Sequence, residues 1–159
     1  MPVATASSGN ELYVLAAMLS VVAFVFVKNR RAILLARIFA AFLVPTLKDA
    51  FDEGRPCGGL LTCPEDKGMP SGHATWVFIF AAGSLGSPVF WFFYAVALLV
   101  SLSRVVWGVH TMAQVAAGAG LGTALYFSSK AIFKSLGALR RERIHWRAKR
   151  FLHKKAMKR

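Results

Sequence analysis

The sequence predicts an all-α fold, a polytopic membrane helical bundle of about five transmembrane helices, and three observations carry that expectation. The chain has 159 residues, 56% of them hydrophobic, with 13 Phe. That is more apolar surface than a soluble domain of one-domain length hides comfortably. The apolar residues gather into five runs at about Leu12–Val27, Ala32–Leu47, Ala74–Leu85, Val89–Leu102 and Thr111–Phe127. Charge is segregated: the net charge is +13, and twelve of the 20 Lys and Arg lie beyond residue 129. The domain expectation is a membrane-embedded part over residues 1–134 and a basic amphipathic tail over 135–159.

The first run is expected to be a retained span, because Met1 to Asn10 carries no Lys or Arg and so lacks the basic start of a cleavable signal. A bilayer core asks for roughly 20 residues per helix, and the runs are at or below the short limit. Either polar catalytic groups at the membrane boundary shorten the apolar count, or the home membrane is thin. Lys28, Arg30 and Arg31 follow the first run and the basic tail follows the fifth. With five spans both fall on one side, cytoplasmic by the positive-inside rule. The loop from Lys48 to Gly72 and the stretch Arg104–His110 then share the opposite side. Arg37, five residues past Ala32, is close enough to the cytoplasmic end to snorkel.

The fifth run is rich in small residues and contains Gly118-x-x-x-Gly122. Small residues let helices approach closely in lipid. Packing within one bundle is the expectation, with a dimer seam as the alternative. In the tail, Ile144, Ala148, Phe151 and Leu152 share one helical face among basic residues, which suits an anionic lipid surface. No motif supports a nucleic-acid partner. His145 and His153 read as spectators.

Three strings at the ends of apolar runs carry chemistry. Lys48 and Arg55 are seven residues apart, nearly two helical turns, so a helix would set both cations on one face, ending before Pro56. Two such cations suit a phosphate; ordinary snorkelling beside Asp49, Asp52 and Glu53 is the bland reading. Pro70-Ser71-Gly72-His73 precedes the third run, where the unpaired N–H groups of a helix start attract anions. Gly72 allows close backbone approach, and His73 is placed to give a proton to a leaving oxygen. Alone, Ser-Gly-His is equally a capping turn. Arg104 closes the fourth run, Gly108 breaks the chain, and His110 opens the fifth helix with Gln114 one turn on. Gln114 can accept from Nδ1–H of His110, leaving Nε2 free to attack phosphorus. The bland reading is an amide bonded to a neighbouring helix.

Taken together, these strings resemble the type-2 phosphatidic acid phosphatase superfamily, which includes lipid phosphatases, glucose-6-phosphatases and vanadium haloperoxidases. The resemblance covers roughly Lys48 to Gly122. It implies a helical bundle and, for the phosphatases, a metal-independent reaction without cofactor through a phospho-histidine. By that resemblance His110 is the nucleophile and His73 the general acid, then the base that activates water. Lys48, Arg55, Arg104, Ser71 and Gly72 hold the phosphoryl oxygens. Gln114 stands where most members have Asp, and Gln can set the tautomer but supplies no charge. The strings Arg55-Pro56-Cys57-Gly58-Gly59, Gly68-Met69-Pro70-Ser71 and His110-Thr111-x-x-Gln114-Val115 are most similar to dolichyl-diphosphatases, although Gly72 replaces their usual second Ser. That resemblance implies an isoprenoid diphosphate substrate, namely dolichyl diphosphate. It also implies an endoplasmic-reticulum membrane, a lumenal site and a role in recycling the lipid carrier of N-glycosylation.

Same-fold alternatives act on undecaprenyl diphosphate, phosphatidate or a sugar phosphate. A rival from another class is a non-catalytic membrane protein that binds lipid phosphate. Cys57 and Cys63, the two cysteines, both lie in the outer loop, where an oxidising lumen permits a disulfide. Drawing His73, His110, Asp49, Asp52 and Glu53 as a metal site matches no usual ligand spacing, and the nearby cations disfavour it.

Overall fold

A computed structural model describes residues 27, 29–57 and 63–156. Among these residues the chain is all-helical, with four helices: α1 (Arg30–Phe51), α2 (Gly72–Gly83), α3 (Phe90–Val106) and α4 (Met112–Ala156). The expected count was about five. The run Leu12–Val27 lies outside the described residues except for Val27, which is buried.

Among the described residues no helix is long and apolar enough to cross a membrane. The physical reason differs from helix to helix. Helix α1 carries Arg30, Arg31, Arg37, Lys48 and Asp49 within its 22 residues. Helices α2 and α3 are only 12 and 17 residues long. The first half of α4 mixes small residues and Gln114, Thr123, Ser128 and Ser129 among its apolar ones, and its second half is basic. Helix α4 runs unbroken through residue 134, where the composition changes.

Helix α1 buries Ala32, Ala36, Ala40 and Val44, spaced one helical turn apart, together with Ile33. These meet Ile79 and Ala82 of α2, Phe93 of α3 and Tyr126 of α4 to form the core. Asn29 donates from Nδ2 to the Tyr126 hydroxyl at 3.3 Å, tying the start of α1 to α4. Helix α4 packs closely on α2: a Cβ on Gly118 would collide with the Ser71 carbonyl, and one on Gly122 with the Thr75 carbonyl. The G-x-x-x-G pair is therefore an intramolecular seam.

One local expectation is corrected. Arg55 does not share a helix face with Lys48. Asp52 adopts the left-handed conformation (φ 49°) and its N–H closes on the Lys48 carbonyl, ending α1 at Phe51. The Arg37 guanidinium lies over the rings of Trp76 (5.0 Å) and Phe80 (5.3 Å). At the end of the bundle away from Lys48, α1 and α4 border a cavity of about 740 Å³ whose lining among the described residues includes Arg30, Arg31, Lys130 and Lys134 and no carboxylate.

Candidate active site

A cavity of about 180 Å³ lies where the C-terminal end of α1, the start of α2 and the α3–α4 connection meet. Lys48, Arg55, Asp66, Gly72, His73, Trp76, Arg104 and His110 line it, with Pro64 and Val109. Of the residues singled out from sequence, the fold thus brings both histidines, all three cations and Gly72 to one wall. Gln114 and Ser71, fully buried, stand behind that wall rather than on it.

Each side chain is set by its own local structure. Lys48 projects from the last turn of α1. Arg55 follows in the loop, where a disulfide joins Cys57 to Cys63. Ser71 is the N-cap residue of α2, but its hydroxyl makes no capping bond and is buried without a hydrogen-bond partner among the described residues. Plain capping therefore does not account for Ser71. Arg104 sits in the last turn of α3 and is buried, with its guanidinium 5.0 Å from the Trp107 ring. Gly108 takes φ 66°, and the N–H groups of Val109 and His110 both return to the Arg104 carbonyl. That turn presents His110 just ahead of α4 rather than within it.

The His110 tautomer is over-determined. Gln114 Nε2 donates to Glu53 Oε1 at 2.8 Å and to the Gly54 carbonyl at 3.0 Å, which fixes the amide orientation. Its oxygen therefore faces His110, 3.0 Å from Nδ1, so Nδ1 must carry the proton. Arg55, which can only donate, approaches Nε2 at 2.9 Å, so Nε2 must present its lone pair. Gln114 also serves α4: its side-chain oxygen accepts from Thr111 N–H at 3.2 Å while its own N–H donates to the Thr111 hydroxyl at 3.2 Å. This is a capping box, and Thr111-x-x-Gln114 was its sequence signal. A Cβ on Gly68 would lie 2.5 Å from the Gln114 amide, so glycine is needed there to admit the glutamine.

Burial pushes His110 down to about 4; the Gln114 bond opposes this, and the charges of Arg55, Lys48 and Arg104 add to it. The imidazole is thus neutral, with an available lone pair, across ordinary pH. If it is the attacking group, kcat/KM should lose activity as pH falls through about 4, where the ring protonates, rather than through 6.5. A pH–rate profile with an acid limb near 6.5 would contradict this.

Asp66, a loop residue that no sequence motif singled out, occupies the cation pair. Its carboxylate accepts from Lys48 Nζ and, at 2.7 Å, from Arg55 Nη2; its carbonyl accepts from Arg55 Nε at 2.9 Å. Burial alone would raise this carboxyl, but the bonds and charges of Lys48 and Arg55 outweigh it and hold it below the usual range. A carboxylate bridging two cations stands where an anionic ligand would bridge them. Asp66→Asn should therefore lower KM and tighten inhibition by inorganic phosphate. The side chain is 53% exposed, so the gain is on the order of two- to five-fold. An unchanged phosphate inhibition constant would contradict this competition. Trp76, three residues past His73 and on the same side of α2, also escaped the sequence reading.

The family model described as the PAP2 superfamily matches residues 12–137. The chain belongs to the PAP2 superfamily. It is 33% identical over 103 residues to lipid phosphate phosphatase gamma of Arabidopsis thaliana, a match covering 54% of this chain and 45% of that protein. The chain therefore spans less than half the length of that curated relative. Among solved structures it is similar to LpxE of Aquifex aeolicus, at 28% identity and a TM-score of 0.62, covering 78% of each chain. It also shares the fold of a transmembrane PAP2-type phosphatidylglycerolphosphate phosphatase from Bacillus subtilis (TM-score 0.58, 23% identity, 80% of this chain and 71% of that one).

Proposed function

We propose that this PAP2 protein is a membrane phosphatase for lipid phosphates, and that its substrate is a polyisoprenyl diphosphate such as dolichyl diphosphate. The observation that carries the reading is one small cavity holding two imidazoles and three permanent cations, with the His110 imidazole held in the tautomer that leaves a lone pair on Nε2. Phosphoryl transfer relies mainly on positioning and charge neutralisation, which this set supplies.

The chemistry runs in two steps. Nε2 of His110 attacks the terminal phosphorus, and the bond from phosphorus to the bridging oxygen breaks. His73 gives that oxygen a proton, and the lipid monophosphate leaves. His73 then takes a proton from water, the water oxygen attacks the phospho-histidine, and the P–N bond breaks to release inorganic phosphate. Lys48, Arg55 and Arg104 neutralise the phosphoryl oxygens throughout, and Gly72, on the cavity wall with the buried Ser71 hydroxyl behind it, adds neutral donors. Gln114 holds His110 in the reactive tautomer. These residues are the chain's own means; no metal or other cofactor enters either step.

The cavity favours a lipid over a sugar phosphate. At about 180 Å³ it is smaller than the roughly 300–1,000 Å³ of ordinary small-molecule pockets, and suits a phosphoryl group whose remainder stays outside. The exterior supports a bilayer home. Phe42, Trp91, Leu99 and Val106 are 75%, 74%, 68% and 80% exposed, a surface suited to lipid rather than water. Along α1, Arg30 and Lys48 are separated by about 27 Å, close to the thickness of a thin bilayer core. The disulfide beside Arg55 fits an oxidising lumen on the cavity's side. The basic tail then lies in the cytoplasm.

Phosphate release by the purified protein in detergent with EDTA, from dolichyl diphosphate, undecaprenyl diphosphate, phosphatidate and glucose 6-phosphate, tests the proposal. Preferred release from an isoprenoid diphosphate supports it. Preference for phosphatidate or glucose 6-phosphate overturns the substrate, dependence on a divalent cation overturns the mechanism, and release from none overturns the activity.

A further inference from the structure

Gln114 leaves a charge deficit that the fold makes good from another element. When His110 carries phosphorus on Nε2, its ring becomes cationic, and a neutral amide on Nδ1 stabilises that cation poorly. The charged groups facing the ring from the neighbouring elements make matters worse: Lys48 from α1, Arg55 from the loop and Arg104 from α3 are all positive, and Asp66 is engaged with Lys48 and Arg55. One carboxylate points the other way. Glu53 accepts from Gln114 Nε2 at 2.8 Å, on the side of the amide remote from His110. Its backbone is pinned as well, because the Glu53 carbonyl accepts from Gly68 N–H at 2.7 Å.

We propose that Glu53 is a positioning residue that supplies its negative charge to His110 through the Gln114 amide, a carboxylate–amide–imidazole relay. This rests on the catalytic reading of His110. Hydrogen bonds in such a chain polarise one another. A carboxylate on the N–H₂ side draws electron density onto the amide oxygen, which then accepts more strongly from Nδ1–H. Every site on Gln114 is used: its oxygen takes Nδ1–H of His110 and N–H of Thr111, and its two N–H bonds go to Glu53 and Gly54. The amide cannot rotate out of the relay without stranding several buried groups.

A charge swap tests the relay. Glu53→Gln keeps an oxygen that can accept from Gln114 while removing the charge, so a merely structural contact would survive it. The relay predicts about a ten-fold fall in kcat with KM little changed. Glu53→Asp, which restores the charge, should recover activity over Glu53→Gln. The double variant Glu53→Gln/Gln114→Glu moves the charge one step closer to His110 and should exceed Glu53→Gln by at least three-fold. Independently of turnover, the Nδ1–H proton resonance of His110 in labelled protein should move upfield in Glu53→Gln, reporting a weaker bond. Wild-type kcat and an unmoved resonance in Glu53→Gln would overturn the relay. If no lipid is hydrolysed by the wild type, the catalytic reading fails, and the resonance shift still decides whether the amide transmits charge.

Discussion

Replacing His110 with alanine should lower phosphate release by at least about 10⁴-fold and leave the protein folded. The size follows from the role: without the imidazole there is no attacking lone pair, and loss of a group of this kind in comparable catalytic sets costs about that much. The preserved fold follows from the hydrogen bonds. Gln114 loses only Nδ1–H of His110 and keeps Thr111 N–H, Glu53 and Gly54 as partners. The capping box that starts α4 is intact. Arg55 loses its contact with Nε2 but retains the Val109 carbonyl at 3.3 Å and both bonds to Asp66. Thermal unfolding in detergent beside phosphate release separates the two readouts. A variant that melts like the wild type and has lost turnover assigns the nucleophile. Turnover that survives in a well-folded variant would remove His110 from that role. Gln114→Leu is the companion experiment: it loses the tautomer lock and the capping box together, so both activity and melting temperature should fall.

The cavity was legible in the sequence to the extent that its chemistry is encoded at the ends of apolar runs. Each of these residues alone has an ordinary structural reading, snorkelling or capping, and it is the joint order and internal spacing of the three strings, resembling one family, that groups Lys48, Arg55, His73, Arg104 and His110. Asp66 and Glu53 could not be grouped this way, because their meaning depends on which loop folds over which helix end. Asp66 lies 18 residues from Lys48, and Glu53 lies 61 from Gln114. Nothing in local spacing sets those pairings. The misplaced helix end has a local cause: the even spacing of Lys48 and Arg55 implied one continuous face, but Asp52 turned left-handed first. The capping box at Thr111-x-x-Gln114 was legible and went unread because Gln114 was already explained by His110. Helix count is the converse case. Hydropathy marks the apolar runs, and the four that fall within the described residues are all helices, while the first, Val27 apart, lies outside them.

The second large effect lies at the seam between α2 and α4. Gly118→Ala should impair catalysis more than it impairs folding, whereas Gly122→Ala should do the reverse. In each case the new methyl meets a backbone carbonyl, which cannot swing aside as a side chain can. The Gly118 methyl would push on Ser71, the residue that opens α2 immediately before Gly72 and His73. Relief requires the start of α2 to move off α4, carrying His73 with it. A displacement of about 1 Å at a catalytic group can cost about 10²-fold in rate. The Gly122 methyl would push on Thr75, one turn deeper, where the cost is helix separation, about 1–3 kcal/mol for overpacking. The alanine's better helix propensity returns about 1 kcal/mol in both cases and so does not distinguish them. Gly120 is the control on the same helix. A Cβ there meets nothing within 4 Å, so Gly120→Ala should match or slightly exceed the wild type in stability and keep full activity. Melting temperatures and kcat for the three variants would settle the matter. Equal behaviour of Gly118→Ala and Gly120→Ala would mean that the seam does not position His73.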